Sequence, residues 1–140
     1  ELPHVLYGET AEVNDAREFV RMRRLQAPDN LTWRSFKDGM LVCHQAFYAN
    51  RSIIPPYDNQ SYRFSADFDW CIRIMKKAAT KSMPLINSHV ILADYLSEGM
   101  TTANHKASLR ERFNIMKKHY GLFTTLLQHA WFVVRALLKK

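Results

Sequence analysis

The chain has 140 residues, 47% of them hydrophobic and 12% aromatic, with 20 Lys and Arg against 13 Asp and Glu. This length and apolar content describe one folded unit and exclude an intrinsically disordered chain, while leaving little room for an enzyme that must hold two substrates by itself. The net charge of +7 favours an anionic partner, such as nucleic acid, phospholipid headgroups or a phosphorylated substrate, and does not choose among them.

The opening ELPHVLYGE has neither a basic n-region nor a long apolar run, so it is not a signal peptide, and without an initiating Met it reads as the start of a processed or truncated chain. His4 to Tyr7 predict a short strand that ends at Gly8. The next stretch, AEVNDAREFVRMRRL, fits neither the helical nor the strand period cleanly, and a hairpin is favoured over a helix. After the turn-like APDN, Leu31 to Lys37 predict one or two helical turns stopped at Asp38-Gly39. MLVCHQAFYA, Met40 to Ala49, is dense in apolar and aromatic residues and predicts a buried strand with Met40, Val42, His44 and Ala46 on one face.

RSIIPPYDNQSY is a loop, because Pro55-Pro56 forbids regular structure. Ser65 then caps a helix reaching about Ala79, with Asp67 and Asp69 in a first turn where the helix dipole favours negative charge. SHVILADYL predicts another strand and SEGMTTAN a glycine-containing loop. Asn104 caps a basic helix, HKASLRERFNIMKKHY, that Gly121 ends, and LFTTLLQHAWFVVRALLKK is a last helix with a wide apolar face. The order implies an α/β or α+β fold. There is no glycine-rich phosphate loop of the GxGxxG or GxxxxGKS/T kind. Cys43 and Cys71 lie in apolar runs without CxxC spacing and predict buried, reduced thiols in a cytoplasmic compartment.

The two aspartates need separate explanations, since side chains two apart on a helix diverge by about 200° and do not converge on one atom or one metal ion. Asp69 has Arg73 at i+4, the spacing of an ordinary helix ion pair. Asp67 sits above Cys71, Ile74 and Ala78, an apolar stripe, with no cation at helical spacing. An ionised aspartate, with a reference pKa of about 3.9, suits a hydroxyl whose proton leaves late in bond formation. A plain first-turn acid is the alternative, and on local grounds His44 reads as a core histidine.

Three segments in this order and spacing, GMLVCHQAFY, YRFSADFDWCIR and VILADYLSEGMTT, resemble the second half of family 2 glycosyltransferases with the GT-A fold, closest to bacterial enzymes that build cell-surface polysaccharide. HVLYGET is similar to the strand that follows the family's metal-binding DxD motif, and ASLRERFNIMKKHYG to its C-terminal helical extension. The resemblance implies a partial, Rossmann-like GT-A fold without its N-terminal nucleotide-binding half, divided into an acceptor-side portion over residues 1–103 and a helical extension over 104–140. It implies that Asp67 is the general base of an inverting transfer from a nucleotide-sugar donor to a glycan or lipid-linked acceptor. His44 and Gln45 match the family's HQ pair, Ala66 replaces its more usual glutamate, and Asp69, Gly99, Met100 and Thr101 fall on substrate-contacting positions. Mg²⁺ or Mn²⁺ is implied for the full-length enzyme, with no ligands for it in this chain, and the location is cytoplasmic, at the inner membrane face if peripheral.

The competing reading is a non-catalytic basic module for a membrane surface or nucleic acid, resting on Lys106, Arg110, Arg112, Lys117 and Lys118. No RNP-like or helix-turn-helix signature accompanies them, so nucleic acid is not an expected partner. Homo-oligomerisation is compatible with the sequence. The apolar face of the last helix, with Gln128, His129 and Arg135 among its residues, predicts an interfacial or packing element and not a bilayer span.

Overall fold

In the computed structural model, which describes residues 4–97 and 104–139, β1 (Val5–Val13) is the centre of a small mixed sheet. β2 (Phe19–Met22) pairs antiparallel with Ala11 to Val13, and β3 (Phe47–Ala49) pairs antiparallel with Val5 to Tyr7. β4 (Leu85–Leu96) runs parallel to β1 along its whole length, from Val5 opposite Leu85 to Val13 opposite Leu96. A strand has two edges, so β2 and β3 share one and β4 takes the other. The fold is mixed α/β.

The predicted hairpin forms. Asn14 closes it by accepting the Glu18 N–H on its side chain at 2.9 Å, Arg17 takes the left-handed conformation at φ 65°, and Glu12 faces Arg21 across the ladder at 2.6 Å. The first strand does not end at Gly8 but continues to Val13. Gly8 is instead a point of close approach: a Cβ there would lie 2.6 Å from both Ser88 Oγ and the Val90 carbonyl oxygen. β4 bulges opposite this point, where its register slips between Tyr7 and Thr10 and His89 turns to φ 57°.

The Met40–Ala49 segment differs more. Only Phe47–Ala49 is strand; Met40 to Cys43 are irregular and His44–Ala46 form a 3-10 turn. The reason is the edge of β1: β2 already holds Ala11 to Val13, so a ten-residue strand has no partner along its length. The apolar part of the expected face survives, with Met40, Val42 and Ala46 buried, while His44 turns outward.

α1 (Ala66–Thr80) lays Phe68, Cys71, Ile72, Met75 and Ala78 onto Val5 and Tyr7 of β1, at the i, i+3, i+4, i+7 spacing of one helix face. Phe36, from the 3-10 helix Trp33–Asp38, stacks on Phe68 with ring centroids 5.6 Å apart. α2 (His105–Tyr120) adds Ile115 and Met116 to the same core. α3 (Leu122–Leu138) follows after Gly121, which at φ 86° lets the chain reverse between the two helices. Both cysteines are buried and unpaired. Among the described residues no helix is long and apolar enough to cross a membrane.

Candidate active site at the start of α1

The segment entering α1 is held from outside. Glu111 of α2 accepts the backbone N–H groups of Arg63, Phe64 and Ser65, each at 2.8 Å. Ser65 occupies the predicted cap position, but its hydroxyl turns to Ser108 of α2, 3.2 Å away, and does not cap the helix. Asp67 serves the first turn itself, with Oδ1 accepting the Phe68 N–H at 2.9 Å. Three N–H groups on one carboxylate fix the backbone on which Asp67 stands.

Asp67 is not without a partner. His44, carried by the 3-10 turn, brings Nδ1 to 3.0 Å from Asp67 Oδ2, and both side chains keep contact with solvent, 43% exposed for His44 and 20% for Asp67. Helical spacing missed this ion pair because the cation comes from another element. Burial pushes the Asp67 carboxyl up, but the hydrogen bond and charge of His44 outweigh it, and the Phe68 N–H and Arg112 add to them, so the carboxyl is held below its ordinary range. The hydrogen bonds to Asp67 and to Cys43 push His44 up to about 10. At neutral pH the pair is an imidazolium donating to a carboxylate.

Asp69 is the buried member, a correction to the ordinary helix ion pair with Arg73 that its spacing predicts. Its carboxylate is fully inaccessible, with Arg73 Nε at 2.7 Å on Oδ2 and His119 Nε2 at 2.7 Å and Lys118 Nζ at 3.4 Å on Oδ1. Arg73 is therefore one of three partners, two of which α2 lays over this side of α1. The Lys76 ammonium lies 2.9 Å from His119 Nδ1, so that nitrogen accepts and the ring proton sits on Nε2, donating to Asp69. Burial pushes Asp69 up, yet His119 and Arg73 hold it at about 2.

The other candidates are placed as follows. Gln45 is exposed beside His44 in the same turn. Gly99, Met100 and Thr101 lie outside the described residues. Tyr57 and Trp70, which were not singled out, form an aromatic wall next to Asp67, their rings 5.9 Å apart. Burial and the nearby charge of Asp67 raise the Tyr57 hydroxyl. Trp70 Nε1 and Arg73 Nη1 fix this wall by donating to the carbonyls of Pro55 and Pro56. Among the described residues no three His, Cys, Asp or Glu side chains gather where they could hold a metal ion. Asp67 is engaged by His44, and Asp69 is sealed among Arg73, Lys118 and His119.

Comparison of the chain with protein-family models, with curated proteins and with solved structures finds no match.

Proposed function

We propose that the chain forms the acceptor side of a GT-A glycosyltransferase that moves a sugar, with inversion, from a nucleotide-sugar donor to a hydroxyl of a growing cell-surface glycan. The observation that carries this reading is the His44–Asp67 contact. It joins two segments of the family resemblance, HQ and ADFD, at an accessible point, while the neighbouring Asp69 is closed to any substrate.

In the reaction the acceptor oxygen forms a bond to the anomeric carbon as the bond from that carbon to the diphosphate oxygen breaks. The acceptor proton passes to Asp67. A carboxylate with a low pKa is a weak base, so the proton moves late, when bond formation has made the hydroxyl acidic. His44 keeps Asp67 ionised and oriented until then. Tyr57 and Trp70, with their rings tilted against each other, offer aromatic surface for a sugar ring, and the nucleotide-sugar donor puts the reaction in the cytoplasm.

The test is transfer by the gene product that carries these residues, assayed with a panel of nucleoside-diphosphate sugars and glycan acceptors. Release of nucleoside diphosphate coupled to a product of inverted anomeric configuration is expected. Retention of configuration, or no transfer from any donor in the panel, contradicts the proposal.

A further inference from the structure

α3 is folded inside out. The residues it turns toward α2 and the Trp33–Asp38 turn are largely its polar ones. Thr125 is fully buried, and Gln128, His129 and Arg135 are half-buried, with Phe132 as the apolar member of that stripe. His129 packs edge-on against Phe113 of α2, with ring centroids 5.0 Å apart, and Arg135 lies over Phe132. Nine large apolar side chains, Phe123, Trp131 and Leu137 among them, are left 44–76% exposed on the outer side. A helix stabilised by packing on its own domain buries the opposite set.

What borders this face is basic. Between α2, α3 and the Gly39 loop lies a groove of about 610 Å³ to which Arg24, Arg112, Arg135 and Lys139 contribute against one acid, Asp38. Val133 lines the groove and belongs to the outward apolar set, so the two surfaces are continuous. Arg112 Nε is buried there without a hydrogen-bond partner. From Asn104 to Lys140 the sequence carries eight Lys and Arg and one acid, Glu111, and that acid is engaged by three backbone N–H groups.

We infer that α3 docks on an anionic bilayer surface, lying in the plane of the interface with its apolar side among the acyl chains and the basic groove facing lipid phosphates. A 17-residue helix is about 25 Å long, short of the ~30 Å hydrocarbon core. It lies on the membrane and does not span it. A second copy of the chain is the poorer occupant, because a net charge of +7 on each partner and cations beside the face repel a like surface, whereas anionic lipid answers both the apolar and the basic part. This surface is separate from the Asp67–His44 contact and stands whether or not that contact is catalytic.

The probe is a vesicle of phosphatidylcholine with phosphatidylglycerol, compared with phosphatidylcholine alone, using the intact chain. Cosedimentation is expected with the anionic vesicles and not with the neutral ones, and it weakens as salt is raised. The emission of Trp131 should shift to the blue on binding and be quenched by lipids brominated near the headgroup, a shift that Trp131→Phe removes. Leu126→Glu with Leu137→Glu, two exposed positions, should weaken vesicle binding by more than about tenfold while the circular dichroism spectrum and melting midpoint stay as in the parent. Equal binding to neutral vesicles, no blue shift, or sedimentation as a dimer that the double variant abolishes would overturn the inference.

Discussion

His44 sets the charge state of Asp67 from outside the helix, and that determines how the pair answers to pH. The imidazole is raised from 6.5 to about 10 on folding, so its contribution to stability is fully present below pH 6.5 and fades as pH rises toward 10. The carboxyl is lowered from 3.8, so its share is present above that pH and is lost as pH falls through the folded value. The melting midpoint of the parent should therefore fall between pH 6.5 and 10, and His44→Gln should flatten that decline. An undiminished decline in the variant contradicts the ion pair. Helix-period arithmetic finds partners on the same helix only. It found Arg73 for Asp69 and could not find His44 for Asp67 or His119 for Asp69, which arrive through tertiary packing.

Among the elements, α1 depends on α2 for its entry. Glu111 is the single acid of a basic helix and would pass for a solvated charge; its three 2.8 Å contacts show it acting as an external cap for the preceding loop. Glu111→Gln keeps the shape but leaves an amide that cannot accept all three N–H groups as strongly, and should cost about 2 kcal/mol of stability, measured by urea unfolding. A change within error would mean that water replaces the carboxylate without loss. The hairpin was legible because its turn chemistry is local, and α1 because the spacing of its apolar residues is, although Ser65 stands at the start of that helix without its hydroxyl capping it. The Met40–Ala49 strand was not: its apolar run is real, but strand length depends on how much of the β1 edge β2 leaves open, and no local signal carries that.

Across the whole molecule, Asp69 ties α1 to α2 through His119 and Lys118 while Asp67, at the same helix end, keeps contact with solvent. The sequence separated the two aspartates by direction, and that separation holds, but Asp69 is buried with His119 and Lys118 beside Arg73, where spacing predicted a simple pair with Arg73. The outward apolar side of α3 was legible as a wide face, whereas its direction relative to the body was not, since either side of an amphipathic helix can be the packed one. In the proposed reaction these two carboxylates divide the work, Asp67 taking the acceptor proton and Asp69 holding the fold. Asp67→Asn and Asp69→Asn, compared in the gene product that carries the chain, test it most directly, with transfer rate, donor affinity and unfolding free energy measured on both. Asp67→Asn should lower turnover by about two to four orders of magnitude with donor affinity and stability near the parent. Asp69→Asn should cost about 3 kcal/mol of stability, as expected when a buried charge network loses its anion, with transfer kept in the fraction that folds. Full transfer by Asp67→Asn, or loss of transfer in a stably folded Asp69→Asn, would contradict the account.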